Sequence, residues 1–215
     1  MPRLKDPVSG LTHLGGALLS VVGLVVLVCL AARRGTPWHT VSFAIFGTSL
    51  MLLYTASSLY HLLVLGPRPT RVLRRLDHCM IFVLIAGTYT PVCLVPLRGP
   101  WGWSLLGSVW GLALAGVVLK LLWLEAPRWL SATIYVALGW LVVTASVPLF
   151  RALPTAALLW LLGGGLFYST GAIIYATKWP RLAQGFGFHE VFHLFVLAGS
   201  LSHYWLALRY ILPPA

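Results

Sequence analysis

The residues best suited to chemistry form a short motif, His189-Glu190-Val191-Phe192-His193, near the end of the sequence. Residues four positions apart lie on one face of a helix, with Cβ atoms about 5–6 Å apart. Two imidazoles placed in this way can bind one metal ion, and zinc hydrolases use the same spacing. Taken alone, the motif is better explained by two histidines at a helix end that form hydrogen bonds with neighbouring residues. Other converging ligands are needed to favour a metal.

The composition indicates a membrane protein. Of the 215 residues, 59% are hydrophobic and 9% are charged, whereas soluble domains carry about 25% charged residues. A net charge of +11 would suggest nucleic-acid binding in a soluble protein. Most of the basic residues lie between apolar segments, so membrane topology explains them better and we expect no nucleic-acid partner. The three cysteines lie in or beside apolar segments without a C-x-x-C motif, which argues against a disulfide framework.

Seven apolar segments are each long enough to cross a bilayer, which takes about 20 residues. Charged and turn-forming residues separate these segments, and no connection is long enough to be a domain. We therefore predict an all-α polytopic membrane protein, a seven-transmembrane-helix bundle that forms a single domain over residues 1–215. The predicted spans are 11–32, 41–65, 77–97, 103–123, 130–150, 156–175 and 188–212.

The distribution of basic residues predicts the orientation. Ten lysines and arginines lie on the N-terminal side of the bundle and five on the opposite side, which places the N-terminus in the cytoplasm and the C-terminus outside. Four of the ten lie close together in a predicted loop between spans two and three. Each can attract an anionic lipid headgroup by about 1 kcal/mol, although a plain topology signal explains them equally well. These four are Arg68, Arg71, Arg74 and Arg75.

Ionisable residues converge at one depth in the predicted bundle. His61 ends span two, Asp77 opens span three, and His189 and His193 open span seven. Because four crossings separate the start of span three from the start of span seven, all of them lie near the same membrane face. Three histidines with a carboxylate are the composition of an open catalytic zinc site, which has three protein ligands and one water. This convergence favours a metal.

Other polar residues receive weaker interpretations. Ser57 shares a face with His61 and lies one turn deeper, where it can bond a water or an oxyanion or its own helix. His203 lies ten residues beyond His193, about 15 Å deeper, which is too far to share the metal. We expect at most one of Asp77 and its neighbour to point at the site. Lys120 lies inside span four and is expected to extend towards the interface.

The sequence resembles bacterial hemolysin III, the bacterial branch of the progestin-and-adipoQ-receptor family. The resemblance runs from about Pro7 to Tyr210. The motifs are specific for this family in combination, and no single motif is. The matching segments are Thr12-His13, Ser57-Ser-Leu-Tyr-His61, Arg74-Arg-Leu-Asp77-His78, Ala86-Gly-Thr-Tyr-Thr-Pro91 and His189-x-x-x-His193-Leu-Phe-Val.

The resemblance implies a seven-helix protein of the bacterial inner membrane with zinc held by His61, His189 and His193. It also implies that Asp77 bonds the zinc water, with Ser57 beside it. The family is similar to alkaline ceramidases, which suggests lipid amide hydrolysis. Its bacterial members are named for haemolysis and are also linked to membrane-lipid homeostasis.

Several functions remain open from the sequence. The first is a zinc-dependent hydrolase of a lipid amide or ester, with Asp77 as general base and Ser57 holding the oxyanion. The second is a lipid-responsive sensor with a structural zinc. A pore-forming cytolysin is disfavoured, because a secreted toxin must be soluble before it inserts. A metalloprotease would use Glu190 as its base, but no second protease signature is present. No protein partner is predicted.

Overall fold

Long helices make up almost all of the chain. The structure is a computed structural model that describes residues 4–182 and 186–214. In these residues, seven helical spans are long and apolar enough to cross a membrane, which confirms the predicted all-α, seven-helix architecture. The spans are Pro7–Arg34 (α1), Pro37–Leu62 (α2), Pro67–Leu94 (α3), Pro100–Leu122 (α4), Arg128–Ala152, Thr155–Thr177 and Phe188–Ile211.

The fifth and seventh spans are irregular. The fifth consists of Arg128–Gly139 (α5), a 3₁₀ stretch and Ser146–Ala152 (α6). Thr155–Thr177 is α7, and the seventh span consists of Phe188–Leu206 (α8) and a final π-helical turn. Irregular backbone inside a membrane needs other hydrogen-bond partners. The Tyr89 hydroxyl supplies them at the end of α5, donating to the Gly139 carbonyl at 2.6 Å and accepting from the Val142 amide at 2.8 Å.

Prolines begin the first four helices, and they correct the predicted boundaries. Proline suits the first position of a helix, where its missing N–H would have no partner. The helix α3 therefore begins at Pro67, and the arginine-rich segment that we predicted as a loop is helical. Asp77, predicted to open the third span, instead lies about three turns into α3. The arginines form the exposed and half-buried start of this helix.

The helices form a closed ring. Along the chain, α1 packs on α2, α2 on α3 and α3 on α4. The ring continues through α5 and α7 to α8, and it closes where α8 packs against α1. The first and last spans are therefore neighbours, and their shared end holds the histidines described below.

The outer surface of the ring suits a lipid environment. Large apolar side chains point outward, among them Leu18 and Leu122, which are 64% and 83% exposed. Tryptophans near the span ends are also exposed, as in the aromatic belts of membrane proteins. Lys120, in the last turn of α4, is buried, and its ammonium group donates to the Ser131 hydroxyl of α5 at 2.6 Å. This bond supplies the polar partner that a buried charge needs.

Candidate metal centre

Three imidazoles meet at one point between α2 and α8. The Nε2 atom of His189 lies 3.3 Å from Nε2 of His61 and 3.2 Å from Nε2 of His193. One nitrogen from each of the three rings lies within 4.8 Å of the others, so together they can hold a metal ion. The predicted convergence of these residues is therefore present in the structure.

Each histidine reaches the cluster from a helix end. His61 lies in the last turn of α2, and His189 and His193 lie in the first two turns of α8, on one face of that helix. His61 and His193 are buried, at 3% and 2% exposure, while His189 is partly accessible. The sequential spacing of four residues brings two of the rings together, and the packing of α8 and α2 on α1 adds the third.

The outer nitrogens of two rings are held by residues that the sequence analysis did not single out. Nδ1 of His61 lies 3.1 Å from a carboxylate oxygen of Asp6, and Nδ1 of His193 lies 3.2 Å from the main-chain oxygen of Ser9. Both partners accept hydrogen bonds, so each Nδ1 carries the proton. In the neutral rings, both Nε2 atoms then present bare lone pairs to the centre of the cluster. That pattern suits a cation.

The carboxylate of Glu190 is occupied by structural contacts. One of its oxygens accepts the Gly187 amide at 2.8 Å and so caps the start of α8. The other accepts the Ser9 hydroxyl at 2.8 Å, which joins α8 to α1. With both oxygens in use, Glu190 is a helix cap and a link between helices. This geometry argues against the metalloprotease interpretation, in which Glu190 would be the base.

A cavity of about 140 Å³ extends from the cluster into the bundle. His189 and His193 line it together with Asp77 from α3 and Ser57 from α2. Ser57 is 1% exposed and Asp77 is partly buried. The structure thus brings both predicted catalytic residues into the same cavity as the histidine pair, and apolar side chains make most of its remaining walls.

Histidines outside the cluster also line this cavity. His78, the neighbour of Asp77, lines it too. His203 borders it farther along α8, where its Nδ1 lies 2.8 Å from the Gly199 carbonyl. His203 therefore both bonds within the bundle and lines the cavity.

His13 on α1 stacks on His193, with ring centroids 3.7 Å apart and planes 21° apart. Its own ring is buried, and neither of its nitrogens has a hydrogen-bond partner among the described residues. This stacking depends on how α1 packs against α8, which the sequence alone does not show.

Comparison with known proteins agrees with this architecture. A sequence profile described as "Haemolysin-III related" matches residues 2–204. The chain is 39% identical to Hemolysin-3 of Bacillus cereus over 211 residues, covering 98% of this chain and 94% of that protein. It is 41% identical to the Hemolysin-3 homolog of Bacillus subtilis, over 98% of this chain and 96% of the relative.

A more distant relative is the human Monocyte to macrophage differentiation factor. It is 25% identical over 207 residues, covering 91% of this chain and 81% of that protein. The family predicted from the motifs is thereby confirmed. The chain belongs to the haemolysin-III-related family of multi-pass integral membrane proteins.

Proposed function

We propose that the protein is a zinc-dependent hydrolase that cleaves an amide or ester bond of a membrane lipid. The observation that carries the proposal is the convergence of three imidazole Nε2 atoms beside a cavity that also contains a carboxylate. A role in membrane-lipid homeostasis would follow from turnover of such a lipid within the bilayer.

The spacing of the histidines fits zinc. Zinc binds imidazole at about 2.0–2.1 Å, so two ligands of a tetrahedral site lie about 3.4 Å apart. The Nε2 atom of His189 lies 3.3 and 3.2 Å from the other two Nε2 atoms. Three protein ligands also leave the fourth tetrahedral position free, as in catalytic rather than purely structural zinc sites. His61, His189 and His193 would hold the ion.

A zinc ion bound there would polarise a substrate carbonyl and make a water molecule more acidic. Asp77 lies on a different helix from all three histidines, and it lines the same cavity as two of them. It would accept a proton as water adds to the carbonyl carbon, and it would return that proton to the leaving nitrogen or oxygen as the bond breaks. Ser57 would donate a hydrogen bond to the carbonyl oxygen as negative charge develops on it.

The cavity walls supply the preference for a lipid. Leu53, Ile81, Leu84, Phe192 and Val196 are among its apolar lining residues, and they would bury an acyl chain and exclude water from the reacting bond. The connections between spans are short, so the substrate would enter laterally from the bilayer.

A lipid-responsive sensor is the second candidate. The burial of His61 and His193 favours it, because a metal at this point would join α2 to α8 and stabilise one arrangement of the ring. In this case the cavity would bind a lipid without cleaving it.

Lipid turnover by the purified protein separates the two functions. The full-length chain in nanodiscs would be incubated with a ceramide and with a matched ester lipid, before and after zinc is removed and restored. Release of fatty acid that depends on zinc supports the hydrolase. A zinc-loaded protein that binds the lipids but cleaves neither would support the sensor.

A further inference from the structure

The start of the chain lies directly on the end of α2. The Asp6 amide donates to the His61 carbonyl at 2.8 Å, and the Lys5 ammonium group donates to the Tyr60 carbonyl at 3.2 Å. The same ammonium group lies 3.5 Å from the centre of the Tyr60 ring. These contacts anchor the segment independently of the Asp6 side chain.

From this anchored position, the segment reaches two of the clustered histidines. The Asp6 carboxylate meets Nδ1 of His61, which is 4% exposed in its side chain, and the Ser9 carbonyl meets Nδ1 of His193. One short piece of chain therefore sets the orientation of two rings that belong to different helices.

We propose that residues 5–9 are the orienting shell of the metal site, with Asp6 as the positioning residue for His61 and the Ser9 carbonyl as that for His193. The inference rests on the proposed zinc site and assigns these residues a role in it. In the part of the chain that the structure describes, Asp6 is the carboxylate that pairs with a histidine within 4.0 Å.

The physical basis is the second hydrogen bond of a metal-binding imidazole. A carboxylate or carbonyl on Nδ1–H fixes the tautomer and the ring orientation, and it makes the opposite nitrogen a stronger ligand. Asp6 places a negative charge next to the His61 ring, so it would also offset part of the positive charge of a bound dication. Its own side chain is 43% exposed, which keeps that carboxylate hydrated and inexpensive to hold in place.

Zinc affinity tests this role without reference to turnover. Competition with a chromophoric chelator would give the zinc affinity of the full-length chain and of Asp6→Ala and Asp6→Asn. We expect Asp6→Ala to bind zinc about 10- to 100-fold more weakly. Asp6→Asn retains an oxygen acceptor without the charge, and its zinc affinity should fall between those of the wild-type chain and Asp6→Ala. The Asp6 amide still bonds to α2 in both variants, so the segment remains attached.

Glu125→Gln is the matched control. Glu125 is an exposed carboxylate paired with Arg74 at 3.1 Å, and it does not belong to the histidine cluster. Its substitution should leave zinc affinity unchanged. A spectroscopic signature complements the affinities: the His61 Nδ1–H resonance of the zinc-loaded protein should move upfield in Asp6→Asn, as the bond to a carboxylate becomes one to an amide.

The outcomes are distinguishable. Wild-type affinity in both Asp6 variants would overturn the inference and leave the zinc site standing. An equal loss of zinc affinity in Glu125→Gln would also overturn the inference, because a change in net charge would then explain the weaker binding. A wild-type protein that binds no zinc would refute the proposed function and this inference together.

Discussion

The Nε2 atoms of His61 and His189 lie 3.3 Å apart although 128 positions separate the two residues in the chain. Two neutral imidazoles gain little from such an approach in a buried setting unless a proton or a cation lies between them. The pair, completed by His193, is the basis for the first prediction.

Purified protein should carry about one zinc ion per chain, and His61→Ala and His193→Ala should each lose most of it, because removal of one of three protein ligands leaves an incomplete site. Elemental analysis of detergent-purified protein measures this directly. His78→Ala removes a histidine from the same cavity but not from the cluster, and it should retain zinc. Full zinc content in either cluster variant would refute the three-histidine site.

Asp77→Asn should retain zinc and lose lipid hydrolysis by roughly 10²- to 10⁴-fold, the usual contribution of a general base. The amide is nearly the same size as the carboxylate but cannot accept the proton. Fatty-acid release and zinc content would be measured on the same preparation. Loss of zinc along with activity would mean that Asp77 holds the metal instead of moving a proton.

Glu190→Gln should change zinc content and hydrolysis little. The glutamine oxygen can still accept the Gly187 amide, so the start of α8 remains capped. The same two assays apply. If Glu190→Gln abolished hydrolysis while Asp77→Asn retained it, the metalloprotease interpretation would replace ours.

The N-terminus should face the cytoplasm and the C-terminus the outside, because the sequence predicts nine basic residues on the N-terminal side, with the buried Lys120 left out, and five on the other. A reporter that is active only in the cytoplasm should be silent when fused to the C-terminus, and one active only outside should give a signal. The opposite pattern would place the histidine cluster at the outer face of the membrane.

The exposed arginines at the start of α3 should attract anionic lipid. Substitution of Arg68 and Arg71 by glutamine should weaken enrichment of anionic headgroups around the protein by about 1 kcal/mol for each residue. Fluorescence quenching by brominated anionic lipids in nanodiscs measures the effect, which should shrink at high salt. The double variant of Arg33 and Arg34, at the other side of the bundle, is the control. Equal effects of the two pairs would contradict specific attraction on the α3 side.

Hydropathy and the number of membrane crossings predicted the number of spans and the membrane face on which each span begins. Seven apolar segments define seven spans, and an even number of crossings places His61 and the α8 histidines at one depth. Helix ends were predicted less well, because most helices begin several residues before the apolar segments do. The prolines at positions 37 and 67 mark the true starts of α2 and α3.

The contacts around the cluster depend on how the helices pack, so hydropathy and the count of crossings could not predict them. Asp6 belongs to a short polar segment, and nothing in its neighbours indicates that it returns to the end of α2. The stacking of His13 on His193 and the burial of Lys120 against Ser131 likewise follow from which helices are adjacent. The sequence did offer one signal for Asp6. It is one of only four acidic residues in the chain, and it lies next to a span that contains a histidine.

The meeting of the first and last spans has a consequence for the assembly of the protein. A nascent chain emerges from its N-terminus, so α1 and α2 enter the membrane well before α8 has been translated. His61 is therefore in the membrane without His189 and His193 until the seventh span inserts and closes the ring against α1. Loading of the proposed metal would therefore be a late event in biogenesis, and a chain that ends before Phe188 would contain only one of the three clustered histidines.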